Sequence, residues 1–363
     1  MRVGVLFGGK SAEHEVSLES AKNVVEAIDS SKYDVVLIGI DRRGRWHLST
    51  PSRLYIEAAG SSLPALKVGD ADEGVTLVQR DAGGAQLVRS SDNQRLEALD
   101  VVFPVLHGPF GEDGTIQGML KLADIPFVGA GVLGSAVAMD KDVMKRLLRQ
   151  AGIPTPDSLA FSRSGADIEY DAVVDRLGLP VFVKPANMGS SVGVSRVDDR
   201  GMFVDAVELA FRYDRKILME AEAAGREIEV SVLGNDDPVA SVPGEIVPNH
   251  EFYTYEAKYI DEHGAGLVIP ADLPDAVVHR VQTLAIQAFK ALCCEGMARV
   301  DCFLRGEDEV LVNEINTIPG FTRISMYPKL WEATGISYTE LIDRLIQLAF
   351  ERHRREQRLK TSV

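Results

Sequence analysis

A strand, a helix and a second strand follow one another over residues 2–40, and that order leaves the chain few folds. RVGVLF (2–7) reads as a buried strand. A Gly-Gly turn follows, then SAEHEVSLESAKNVVEAI, a helical pattern with Val16, Ala21, Val24, Val25 and Ile28 on one side. DVVLIGI (34–40) is the second strand. Strands joined through a helix run parallel, whereas tight hairpins join antiparallel neighbours. A parallel α/β unit is therefore expected at the N-terminus. Residues 51–97 break the pattern: they are rich in Gly, Asp and Ser, with short strand-like pieces (VTLVQ, AQLVRS), and read as an insertion in the first domain. The α/β pattern returns with DVVFPVLHG at 100–108.

Beyond this unit, MDKDVMKRLLRQAGIPTP (139–156) reads as a helix stopped by Gly152, Pro154 and Pro156. LPVFVKPANMGSSVGVSRV (179–197) and KILMEAEAAGREIEVSVLG (216–234) each read as strand, loop, strand. DAVVHRVQTLAIQAFKAL (275–292) is a long amphipathic helix. SYTELIDRLIQLAF opens a last helix on a capping box, Ser337 with Glu340, and the basic tail ERHRREQRLK reads as its solvated end.

A length of 363 residues accommodates two or three domains, and a net charge of −15 argues against broad nucleic-acid or anionic-membrane binding while leaving room for a local phosphate pocket. No stretch approaches the roughly 18 apolar residues of a membrane span, and the first residues lack the apolar core of a signal peptide. Cys293, Cys294 and Cys302 form no Cys-x-x-Cys pair, so neither a zinc site nor a disulfide framework is indicated. A soluble cytoplasmic protein is expected.

Three stretches carry chemistry. In VNEINTIPGFTR (312–323), Glu314 and Asn316 share one strand face, and two oxygen donors there suit a hard cation such as Mg²⁺. Asp301 lies on an upstream strand, and a turn at 306–309 would bring it alongside. The plainer alternative is a half-exposed hairpin with one polar face. GVLFGGKS (Gly4–Ser11) matches the letters of a phosphate loop, but Val5, Leu6 and Phe7 are themselves strand, which leaves no loop to wrap phosphates. GSSVG (Gly189–Gly193) matches the letters of a nucleophile elbow built on Ser191, yet the following VSRV favours a strand where that motif needs a helix. The same glycine-rich hairpin, with Lys184 at the end of its first strand, can fold over a polyphosphate. A plain Gly-Ser turn with a surface lysine is the alternative.

Taken in order, GGKSAEHEVSL, LHGPFGEDGTIQGML, GVLGSAVAMDK, VKPANMGSSVGVS, EFYTYEAKY, ARVD and NEINTIPGFT resemble the D-alanine–D-alanine ligase family of ATP-grasp enzymes over nearly the whole chain. The insertion and the Pro-Phe of LHGPFGEDG resemble that family's longer branch. The resemblance implies an α/β, three-domain ATP-grasp architecture: a parallel α/β substrate domain (1–129), then central (130–224) and C-terminal (225–363) domains whose antiparallel sheets sandwich ATP, with a mobile loop at 247–270. It implies that ATP phosphorylates the carboxylate of one D-alanine, that the amine of a second attacks the acyl phosphate, and that the product serves peptidoglycan precursor synthesis. A carboxylate is a poor acyl donor, so phosphorylation supplies the leaving group, and phosphoryl transfer asks mainly for positioning and charge neutralisation.

By the same resemblance, Glu13 binds the first ammonium and orients a chain through Ser190 to Tyr259, and His107 lies near that substrate. Lys141 and Lys184 contact ATP phosphates and Lys258 the transferring one; Glu220 and Glu227 hold the adenine amino group and the ribose. Arg299 and the Gly320 N–H stabilise the oxyanion, Ser325 receives the second carboxylate, and Asp301, Glu314 and Asn316 ligate two Mg²⁺ (or Mn²⁺) ions. A homodimer is also implied. Plainer readings stand beside these: Glu13 as a first-turn helix acid, His107 as a turn residue, Ser325 as loop polarity, and Arg299 paired with Asp301 along one strand. Ala221, beside the adenine position, stands where many family members have a long polar residue, and Thr254 stands where an aspartate is frequent in the mobile loop; neither removes a residue assigned to chemistry. Tyr259 favours an amine acceptor over D-lactate, since the ester-forming branch lacks that tyrosine. Another ATP-grasp carboxylate–amine ligase and a non-catalytic nucleotide-binding module are the remaining alternatives.

Overall fold

The computed structural model describes residues 1–49, 73–80, 84–165, 168–248 and 265–360. β1 (Arg2–Gly8), α1 (His14–Ala27) and β2 (Asp34–Ile40) form the crossover unit expected from the sequence, with β1 and β2 parallel in register Arg2↔Asp34 to Gly8↔Ile40. β3 (Trp46–Ser49) adds antiparallel to β2. β4 (Val75–Gln79), β5 (Ala85–Arg89) and β6 (Arg95–Leu99) make a separate antiparallel sheet, after which β7 (Val101–Val105) returns to pair parallel with β1. The main sheet thus has the order β3-β2-β1-β7. Gly4 sits within β1, paired on both sides, so GVLFGGKS is strand and turn and not a phosphate loop. Gly8 ends the strand at φ +90, and a Cβ there would meet the Ile40 carbonyl oxygen at 2.3 Å, so only glycine fits.

α2 (Thr115–Leu122), α3 (Val132–Met139) and α4 (Lys141–Gln150) lead out of this layer. The Asp140 side chain caps α4 by accepting the Val143 N–H at 3.1 Å, and Gly152 at φ +74 follows its end. The second sheet is built from β8 (Ser158–Ser162), β9 (Val181–Pro185), β10 (Ser195–Val197) and β11 (Lys216–Ala221), antiparallel throughout in the order β10-β9-β11-β8. α5 (Tyr170–Leu177) and α6 (Arg200–Tyr213) cover one face, where Val173, Phe203 and Ala206 pack on Val183 and Ile217.

The third sheet joins β12 (Arg226–Gly234), β14 (Gly244–Pro248), β15 (Ala265–Val268), β16 (Gly296–Arg305) and β17 (Glu309–Asn316) in the order β15-β14-β12-β16-β17, with β13 (Val239–Ala240) beside β12. α7 (Asp275–Ala291) and α4 bury Val281, Phe289, Met144 and Leu148 against it. α8 (Met326–Ala333) and α9 (Tyr338–Gln357) close the chain by packing Trp331, Leu341 and Leu345 with α1 and β7 in one core cluster. Of the expected capping box, the Ser337 half forms, accepting the Glu340 N–H at 3.3 Å, while the Glu340 carboxylate takes Arg344 one turn on. No helix among the described residues is long and apolar enough to cross a membrane.

Candidate active site

The β16–β17 hairpin builds the acidic end of the site. Its register sets Asp301 opposite Glu314 and Arg299 opposite Asn316. Asn316 Nδ2 donates to Asp301 Oδ2 at 3.0 Å, so the strand-face reading of these residues is realised as a contact. Arg299 grips Asp301 through both carboxylate oxygens at 2.7 Å, and its Nε lies 3.0 Å from Glu229, which β12 places opposite Asp301. Lys141, the first residue of α4, reaches Glu314 at 3.2 Å and donates to the Met188 carbonyl at 2.9 Å. Among the described residues no three His, Cys, Asp or Glu side chains form a ready-made metal cage. The donor chemistry nonetheless suits a hard cation: two carboxylates and an amide on paired strands, needing further oxygen ligands from outside the protein.

Between the second and third sheets lies a cavity of about 500 Å³ lined by Phe182, Lys184, Ser191, Glu220, Glu227 and Phe303, among others. Lys184 pairs with Glu220, and Lys145 of α4 reaches the other Glu220 oxygen at 2.6 Å. Burial opposes ionisation of Glu220, but the two ammonium groups outweigh it and hold its carboxyl down to about 2. The glycine-rich hairpin over this cavity turns through Ser190, Ser191 and Gly193, all at positive φ. It continues into β10 and not into a helix, so no nucleophile elbow is formed around Ser191. Ser190 Oγ instead donates to the Glu13 carboxylate.

Glu13 precedes α1 and is only 6 % exposed. Loops close in around it: a Cβ on Gly108 would meet its Oε2 at 2.5 Å and one on Gly189 at 3.1 Å. His107, next to Gly108, is buried and bonded through both ring nitrogens. Nδ1 lies 3.0 Å from the Ile318 carbonyl, which can only accept, so Nδ1 carries the proton. Nε2 then accepts from Ser20 Oγ at 3.1 Å, and that oxygen accepts the Phe321 N–H at 3.2 Å. Burial lowers the His107 pKa to about 4, in keeping with this neutral, fixed ring. Glu112 makes a second bridge between the same loops, accepting the Gly108 N–H at 2.8 Å and the Ile318 N–H at 3.1 Å. Burial, with the charge of Glu13, pushes its carboxyl up to about 8.

The turn after β17 is held from inside. Phe321 is fully buried, edge-on to Phe103 and stacked on Tyr338, which fixes the neighbouring Gly320. Ser325 Oγ accepts the Thr322 N–H at 3.0 Å and closes the turn; a Cβ on Gly320 would meet that oxygen at 2.6 Å.

The structure thus gathers Glu13, Ser190, His107, Lys141, Lys184, Glu220, Glu227, Arg299, Asp301, Glu314, Asn316, Gly320 and Ser325 around the junction of the three main sheets. Lys258, Tyr259, Thr254 and most of the loop expected to be mobile (247–270) lie outside the described residues. Sequence reading missed Lys145, Glu229, Glu112 and Ser20. Glu229 alone left a signal, sharing a strand face with Glu227.

Two family models match the chain: D-ala D-ala ligase N-terminus over residues 2–130 and D-ala D-ala ligase C-terminus over residues 147–347. A D-alanine–D-alanine ligase of Shouchella clausii is 56 % identical over 363 residues, covering 100 % of this chain and 98 % of its own. The structure of the D-alanine–D-alanine ligase from Coxiella burnetii is similar with a TM-score of 0.85 at 41 % identity, covering 98 % of this chain and 96 % of that one. That of the Bacillus anthracis ligase complexed with ATP matches with a TM-score of 0.72 at 28 % identity, over 98 % and 99 % of the two chains. With both halves matched by the family's models and its full length by curated relatives, the chain belongs to the D-alanine–D-alanine ligase family.

Proposed function

We propose that the chain joins two D-alanines at the expense of ATP, in the site described above. The observation that carries this reading is the Ser190–Glu13 hydrogen bond, because it ties the hairpin over the nucleotide cavity to the anchor of the amino-acid pocket. Phosphoryl donor and carboxylate acceptor are then brought together by the fold itself.

ATP lies between the second and third sheets, with Glu220 and Glu227 toward adenine and ribose and Lys184 and Lys141 toward the phosphates. Glu13 holds the ammonium of the first D-alanine, and His107 stays neutral beside it and braces the pocket wall. A carboxylate oxygen of that substrate bonds to the γ-phosphorus as the bond to ADP breaks, giving D-alanyl phosphate. The amine of the second D-alanine, its carboxylate received at Ser325, then attacks the acyl carbon. Arg299 and the Gly320 N–H meet the developing oxyanion. The amine gives up a proton and phosphate leaves with the C–O bonding pair. Asp301, Glu314 and Asn316 would hold Mg²⁺ (or Mn²⁺), which supplies charge neutralisation for the phosphates. Lys258 and Tyr259 complete the reading from the sequence alone. A cytoplasmic homodimer and three domains at 1–129, 130–224 and 225–363 belong to the same proposal.

The test is phosphate release from Mg-ATP with D-alanine, with L-alanine, or with D-alanine plus D-lactate, products resolved by mass. D-alanine-dependent release with D-alanyl-D-alanine formed is the expected result. Release independent of D-alanine, or a depsipeptide as main product at neutral pH, would overturn the substrate assignment.

A further inference from the structure

Among the described residues, Lys145 is the one fully buried lysine beside the cavity that the reaction as described does not use. It sits one turn along α4 from Lys141, with its side chain 1 % exposed. It does not line the cavity; Lys184 and Glu220 do. Its Nζ is 2.6 Å from one oxygen of Glu220, and the other oxygen pairs with Lys184. One carboxylate therefore faces two lysine amines; burial lowers the Lys145 pKa, and the charge of Glu220 opposes that. Arg149, one turn further along α4, adds positive potential that also lowers the Lys145 pKa.

Consider the same site without Lys145. Glu220 and Lys184 would then form a closed, neutral pair at low dielectric, where a charged pair separates with difficulty. Lys184 would have little charge left to offer an incoming phosphate. With Lys145 behind it, Glu220 is already neutralised on one side, and its hold on Lys184 is weakened. The depressed pKa of Glu220 agrees with a carboxylate that stays ionised between two cations.

We propose that Lys145 is a positioning residue for nucleotide binding: the buried counter-charge to Glu220 that leaves the Lys184 ammonium available to ATP phosphates. This rests on the cavity being the ATP site. Lys145 touches neither substrate nor nucleotide and acts through Glu220. It makes one functional unit of α4, with Lys141 at the phosphate end and Lys145 behind the base end.

The experiment is inhibition by ADP against ATP in the full-length protein, for wild type, Lys145→Met, Lys145→Gln and Lys145→Arg. In Lys145→Met, Lys184 closes on Glu220, and the ADP inhibition constant and KM for ATP rise about tenfold, with KM for D-alanine within about twofold. Lys145→Gln keeps a donor to Glu220 without the charge and shows the same rise, while Lys145→Arg, which keeps the charge, stays within about threefold of wild type. Unchanged ADP inhibition in Lys145→Met overturns the proposal. So does Lys145→Gln with ADP inhibition at the wild-type level, which would mark the Lys145 charge as unneeded. If Lys145→Met fails to fold, Lys145→Gln, which keeps a hydrogen-bond donor to Glu220, decides alone. Wild-type protein that forms no dipeptide would count against the ligase reading; dipeptide formation with insensitive variants counts against Lys145 only.

Discussion

Ser190 and Glu13 are 177 residues apart in sequence, yet Ser190 Oγ donates directly to the Glu13 carboxylate. This bond crosses from the hairpin of the second sheet to the start of α1. Ser190→Ala removes the donor and leaves a partly buried carboxylate one partner short, a loss of about 1.5–3 kcal/mol for a hydrogen bond to a charged group. The expected outcome is a fall of about 10- to 100-fold in kcat/KM for D-alanine, with KM for ATP little changed. Steady-state kinetics varying each substrate in turn checks it. An equal loss for both substrates would show that the bond organises the hairpin and not the amino-acid pocket.

Much of this arrangement was readable in the sequence because it follows local periodicity. The crossover at residues 2–40 forced parallel strands, and the two-residue period of β17 put Glu314 and Asn316 on one face before any partner was known. What stayed hidden was set by partners far along the chain. Lys145 lies between apolar Met144 and the basic Arg146 on a helix where a lysine ordinarily reaches solvent; only Glu220 from β11 makes it a buried ion. His107 read as a turn residue or a substrate neighbour, and its actual partners, Ser20 and Ile318, come from two other elements. Lys258 and Tyr259 rest on the family resemblance alone, since they lie outside the described residues.

Glu112 makes the stability of the protein depend on pH. Its carboxyl is raised from an ordinary 4.5 to about 8, chiefly by burial, so the folded state holds a proton that the unfolded chain releases. Its contribution is complete below pH 4.5 and is lost as pH rises towards 8. Glu112→Gln cannot titrate. Between pH 5 and pH 8 the melting temperature of wild type is expected to drop by several degrees relative to that of the variant. Parallel melting curves for the two proteins across this range would count against the burial argument.

The strand face proposed to hold Mg²⁺ yields a dose-dependent prediction. Glu314 sits opposite Asp301 and is paired with Lys141. Glu314→Gln keeps the shape and removes the charge, so the Mg²⁺ concentration for half-maximal rate is expected to rise about tenfold or more, and chelation of Mg²⁺ to abolish turnover in wild type. Titration of the rate with Mg²⁺ at fixed ATP checks both. A variant with an unshifted Mg²⁺ requirement would remove Glu314 from the ligand set.

Gly320 tests whether the turn after β17 is the oxyanion site. Phe321 is pinned between aromatic rings, so Gly320 cannot move away when a side chain is added. An alanine Cβ would stand 2.6 Å from Ser325 Oγ, inside any permitted contact, so the turn must open at Ser325 or the Gly320 N–H must swing. Either response misplaces a donor that is useful only if it meets the oxyanion at about 3 Å. Gly320→Ala is expected to cut kcat by about 100-fold or more while ADP inhibition, which depends on the cavity between the second and third sheets that Gly320 does not line, stays near wild type. A variant with near-normal kcat would mean that the oxyanion is held by Arg299 alone. Equal losses in kcat and ADP affinity would mean that the turn supports the nucleotide cavity as well.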